Sequence, residues 1–121
     1  MSIVDIEYIN KGSPITLMTD AEETTTSAPI DARGKNAVLL KITISAATQN
    51  WTIKLTGCFT RNGTYVDLYE LANTGTMTAM SHQTNASKMI LFKGIPDYVK
   101  VVATEDVTGA KCSIEAQLLN V

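Results

Sequence analysis

The sequence predicts an all-β domain: a two-layer antiparallel β-sandwich, jelly-roll or immunoglobulin-like, with about eight or nine short strands. Three observations carry this. Apolar and polar residues alternate with period two along most of the chain, as they do in strands with one buried face. Clusters of Gly, Pro, Asn and Asp separate these runs. No segment of ten or more residues carries the i, i+3, i+4, i+7 stripe of an amphipathic helix. Abundant Thr and Val add to the case, because β-branched side chains suit a pleated surface.

In chain order, residues 3–9 and 15–19 read as strands around Lys11-Gly-Ser-Pro14, and residues 1–27 as an N-terminal arm or edge-strand segment. Within it, 22–27 (Glu-Glu-Thr-Thr-Thr-Ser) reads as a polar edge strand or loop. The clearest strand is 37–46, with Val38, Leu40, Ile42 and Ile44 on one face and Lys41, Thr43 and Ser45 on the other. Residues 50–59 follow with Trp51, Ile53 and Leu55 inward, and 47–50 suit a hairpin loop between the two. Arg61-Asn-Gly-Thr64 is the strongest turn signal, since Asn-Gly accepts the positive φ angles of a type I′ turn. It leads into 64–71, so the three strands read as a meander.

Beyond Leu71 the pattern weakens. Residues 76–81 suit a short edge strand and 82–86 a loop. In 88–93, Met89 and Leu91 share one face and Ile90 and Phe92 the other, so this strand is expected to be covered on both sides. Gly94-Ile-Pro-Asp97 is a turn before strand 98–104, with Val99, Val101 and Ala103 inward. Residues 105–109 read as a hairpin loop into the last strand, 110–120, with Cys112, Ile114, Ala116 and Leu118 inward. The expected core holds Val38, Leu40, Ile42, Ile53, Leu55, Val101 and Ile114.

With 121 residues the chain is one domain, 1–121, able to bury roughly 65% of its unfolded surface. Hydrophobic content of 45%, charged content of 18% and net charge −2 describe a globular chain rather than a disordered one. Lys and Arg are scattered, with no basic stripe to displace counterions from phosphate, so no nucleic-acid partner is expected. The acidic N-terminus does not resemble a signal peptide, and no apolar run reaches the roughly 18 residues of a membrane span. A protein made in the cytoplasm follows, with Cys58 and Cys112 reduced and serving as small buried hydrophobes.

Catalytic groups do not converge in the sequence. His82 is the one histidine and sits in a polar Ser-His-Gln-Thr-Asn run, without a second His or Cys at metal-ligand spacing. No Gly-x-Ser-x-Gly elbow presents a nucleophile. Asp67 and Glu115 sit on outward strand faces, and Glu22, Glu23, Glu105 and Asp106 in loops, where carboxylates are solvated rather than paired for glycosyl transfer. No enzyme activity, cofactor or metal is expected. Trp51, inward on its strand, reads as a core anchor; a sugar-stacking platform with Tyr65, Tyr69 and Tyr98 is the alternative. Those tyrosines suit a subunit interface equally well.

The most distinctive loop is Ala28-Pro-Ile-Asp-Ala-Arg-Gly-Lys35. Pro29 fixes an extended entry, Asp31 can cap its own turn, Arg33 can pair with that carboxylate, and Gly34 permits a left-handed exit. The loop with the strand after it, Asn-Ala-Val-Leu-Leu-Lys-Ile42, resembles small β-sandwich virion structural proteins of tailed bacteriophages. The stretch Phe92-Lys-Gly-Ile-Pro-Asp-Tyr-Val-Lys-Val101 and the final Thr-Gly hairpin are similar to the last strands of the same group, so the likeness spans about residues 28–121. It implies a capsid decoration (cement) or head–tail accessory protein that resides in the virion. Its partners would be the major capsid protein or other virion proteins, and it would act as a homo-oligomer, a trimer by preference, without cofactor or membrane. On that footing the candidate interface is Ile3, Ile6 and Tyr8 in the N-terminal segment together with Pro29, Asp31, Arg33 and Lys35. A carbohydrate-binding or adhesin-like sandwich is the competing reading.

Overall fold

A computed structural model describes residues 12–45, 50–71, 75–105 and 110–121. The described residues form twelve strands. The first sheet holds β1 (Ile15–Ala21), β4 (Ala37–Ser45), β10 (Lys88–Lys93) and β12 (Lys111–Leu119), in the order β1-β12-β4-β10. The second is built on β5 (Trp51–Cys58) and β11 (Tyr98–Thr104). Two short strands, β2 (Thr25–Thr26) and β3 (Ile30–Asp31), lie in succession along β11. Two more, β6 (Val66–Asp67) and β9 (Ser81–Thr84), lie in succession along β5.

Taking β2 with β3 and β6 with β9 as single positions, successive strands alternate between the sheets, from β1 to β2/β3 to β4 to β5, then β6/β9 to β10 to β11 to β12. With two four-position sheets so ordered, this is the jelly-roll arrangement. The small hairpin of β7 (Tyr69–Leu71) and β8 (Met77–Ala79) is an excursion from the middle of the β6/β9 position. Its base is closed where the Met80 N–H donates to the Leu68 carbonyl at 2.9 Å.

Alternation places the core as the sequence predicts. Val38, Leu40, Ile42, Ile53, Leu55, Val101 and Ile114 are all buried between the sheets, as are Trp51, Val99, Cys112, Ala116 and Leu118. Each buried aliphatic or aromatic side chain of this size contributes about 1.5–3 kcal/mol.

Pairing is where the sequence reading fails. The expected three-strand meander forms only in its second half: β5 pairs with β6 as expected, but β4 pairs with β10 and β12 rather than with β5. Period two says which way a side chain faces, not which strand lies beside it, and β4 and β5, though consecutive, lie in different sheets. The expected hairpin loops fall largely on residues 46–49 and 106–109, outside the described residues; the strands flanking each are in different sheets. Asn62-Gly63 is not a type I′ turn, since neither residue has positive φ. The chain turns one residue earlier, with the Gly63 N–H donating to the Thr60 carbonyl at 3.3 Å. The loop expected over 82–86 is mostly strand β9, with His82 opposite Ile53. Finally, β10 is covered on one face only: Phe92 is buried, but Met89 and Leu91 are 63% and 43% exposed. It is an edge strand, and no described element lies over its outer face.

Candidate functional site

The Pro29–Lys35 loop is built as the sequence implies. Ile30 and Ala32 are buried and anchor it. Backbone pairing of β3 to β11 and a 2.7 Å bond from the Ala32 N–H to the Asp97 carbonyl fix its position. Between these anchors Asp31 faces out and gathers Arg33. The Arg33 backbone N–H donates to Asp31 Oδ1 at 3.1 Å, Nε donates to the same oxygen at 2.9 Å, and Nη2 donates to Oδ2 at 2.7 Å. This two-point fork, with the N–H beneath it, lowers the Asp31 carboxyl to about 2, chiefly through the Arg33 side chain, then its backbone N–H. The guanidinium also lies 5.8 Å from the centre of the Tyr98 ring. Gly34, at φ +78°, completes the turn that the Lys35 N–H closes on the Ala32 carbonyl at 3.0 Å.

Sequence reasoning missed Asn36. Its side-chain oxygen accepts from the Val121 N–H at 2.8 Å and its amide nitrogen donates to the Val121 carbonyl at 3.0 Å. Its backbone carbonyl accepts from Gly94 N–H at 2.8 Å. One residue thus ties the loop exit to the last described strand and to the β10–β11 turn. A single Asn after Gly-Lys carries no signal of such a role.

Of the candidate interface residues, Pro29 and Asp31 line a groove of about 290 Å³ whose other walls include Ile15 and Leu17 of β1, and Arg61. Arg33 and Lys35 lie on the same loop beyond it. Ile3, Ile6 and Tyr8 lie outside the described residues, as does the rest of the 1–11 segment of the N-terminal arm. Trp51 is 1% exposed and sits in the core, so it offers no platform for a sugar. The tyrosines are partly spent on cations as well: the Lys100 ammonium lies 4.3 Å from the Tyr65 ring centre.

A second feature, absent from the sequence reading, lies at the C-terminal end of β5. Here a cleft of about 470 Å³ opens between Cys58, Phe59, Val66, Leu68, Ile95 and Pro96. Phe59 is 86% exposed and Val66 60%. Gly57 forms its floor, because a Cβ there would come within 2.5 Å of Pro96 Cγ and 2.9 Å of a Leu68 methyl. The signal available was a Gly inside a strand, which marks close approach by another part of the chain. The half-exposed Cys58 thiol is lowered from its ordinary value, first by the Thr60 backbone N–H; Cys112 is raised to about 11 by burial. Both cysteines are free. Among the described residues no group of three or more His, Cys, Asp or Glu could hold a metal, and no helix is long and apolar enough to cross a membrane.

No protein-family model and no curated protein sequence matches the chain. Among solved structures, the chain is similar to the SPBc2 prophage-derived protein YomS, with 17% identity over 92% of this chain and 94% of that one, at a TM-score of 0.66. The likeness runs nearly end to end and shows that the two share a fold.

Proposed function

We propose that this chain is a non-enzymatic structural protein of a bacteriophage particle, and that its specific role is capsid decoration. The observation that carries the reading is the end-to-end likeness in fold to a prophage-derived protein. The sequence motifs of residues 28–42 and 92–101 support it independently. So does the character of the surface, which includes the self-braced Pro29–Lys35 loop, suited to docking on a broad lattice rather than enclosing a substrate.

Decoration stabilises by mass action. A protein that binds only the assembled shell adds its binding free energy to what disassembly must overcome. The contact surface proposed is the Pro29–Lys35 loop with its groove, together with Ile3, Ile6 and Tyr8. The partner is the major capsid protein, and the virion is the place of residence. The test is co-sedimentation of the purified protein with intact capsids of the phage or prophage whose genome encodes it. Saturable binding that raises the temperature of capsid disruption is expected. Failure to bind capsids, with binding to isolated tails or to glycans instead, would replace decoration with an accessory or host-binding role.

A further inference from the structure

We infer that β10 is a self-association edge: it pairs antiparallel with β10 of a second copy, so that the first sheet runs continuously across a two-fold axis. The inference does not depend on the capsid reading.

Sheet edges expose unpaired backbone N–H and C=O groups, and monomeric proteins spoil them by shortness, bulges or breaks. Three of the four edges here are spoiled in those ways. The β1 edge has register shifts on both sides of Met18 and a left-handed residue, Asp20, at φ 48°. The edge along β11 is split into the two-residue strands β2 and β3. The edge along β5 is interrupted between β6 and β9 by the β7–β8 excursion. Only β10 is unbroken, pairing with β4 in one continuous register from Lys88 to Lys93. Among the described residues no strand lies on its other side.

The strand is also complementary to itself. A two-fold axis through Ile90 keeps inner and outer faces matched, because opposed residues then have the same parity. Met89 falls opposite Leu91 of the partner subunit, so the exposed apolar side chains of β10 cover each other beside Leu39, the neighbour of Leu91 on β4. On the inner face half-buried Ile90 meets its own copy, and the stem of Lys88 crosses Phe92 of the partner subunit. Lys93 falls opposite Ser87. Thus the two lysines that end the strand never face each other, as they would with the axis midway between Ile90 and Leu91. A foreign strand would need acidic residues to answer those lysines; a second copy needs none.

The test uses the full chain. Sedimentation equilibrium should give twice the 13.1 kDa chain mass. Leu91→Lys, at an exposed position, should weaken association by about tenfold or more while leaving the melting temperature of the monomer unchanged. In a Cys58→Ser background, Ile90→Cys should cross-link to itself with a short bismaleimide, and Thr16→Cys on the β1 edge should not. A strict monomer, or an oligomer of any order that tolerates Leu91→Lys and fails to cross-link through Ile90→Cys, overturns the inference.

Discussion

The two ends of β5 sit in opposite environments. At its start Trp51 is sealed in the core, 1% exposed, opposite the buried Thr84. Alternation then holds through Ile53 and Leu55. At its end the parity that should turn Phe59 inward leaves it 86% exposed above a cleft. Alternation assigns a face only while a second layer lies across from the strand. At Gly57 that layer is replaced by Leu68 and Pro96, which approach the backbone and leave no room there for a side chain, and Phe59 lies beyond the end of the strand. One end of the strand is therefore stability and the other is surface, although the sequence writes both with the same pattern.

The comparison is broken most strongly at the closed end. Trp51→Ala should cost about 3–5 kcal/mol, the usual range for emptying a large aromatic site, measured by urea denaturation. Among the described residues the buried indole Nε1 has no hydrogen-bond acceptor. Trp51→Phe, which removes that orphan donor and keeps a ring, should therefore cost distinctly less. A Trp51→Ala protein with an unchanged midpoint would mean that the ring is not the anchor its burial implies.

At the open end Gly57→Ala should cost about 1–3 kcal/mol, because the new methyl must displace the Pro96 ring and a Leu68 methyl. It should also narrow the cleft. A smaller effect comes from the thiols. Cys58, half-exposed with its thiol lowered by neighbouring backbone N–H groups, should react with a disulfide reagent in the native protein; buried Cys112 should react only on unfolding. Equal rates would show that the cleft is not open in solution.

Much of the core was legible because burial needs only polarity and period: all seven of its named members are inside. The pairing of β5 with β6 was legible as well, but most strand partners were not, because pairing depends on the crossovers between sheets, and Ala-Thr-Gln-Asn50 looks the same whether it joins neighbours or links two layers. Asn62-Gly63 misled for a related reason. The dipeptide permits a type I′ turn but does not compel one, and the chain instead leaves the sheet at Phe59. At the candidate site, Asp31 and Arg33 were readable as a local pair, since the two residues are close enough in sequence to meet whatever the fold. Asn36 was not, because its partner Val121 is far along the chain.

The smallest effect is the one that bears most directly on the proposed contact loop. In the folded protein the Asp31 carboxyl is held at about 2, against an ordinary 3.8, mainly by the Arg33 fork. A folded value below the unfolded one stabilises the protein above the unfolded value. That contribution fades as the pH falls from 3.8 through 2. The pair is on the surface, so the effect on melting should be slight and reduced further by salt. The titration itself should be plain: the Asp31 side-chain carboxyl carbon, followed by NMR, should titrate near 2, and in Arg33→Ala it should return toward 3.8. The same signal reports on function. Asp31 occupies the Nε/Nη2 edge of Arg33, so a carboxylate on a neighbouring subunit would meet the Nη1/Nη2 edge or have to draw Arg33 off Asp31. If capsid binding recruits Arg33, Arg33→Ala must weaken association with the fold intact, and the Asp31 value rises in the wild-type complex where Arg33 is drawn off its partner. If Arg33→Ala binds capsids as the wild type does, Arg33 shapes the loop and the contact is made by its backbone and by Pro29.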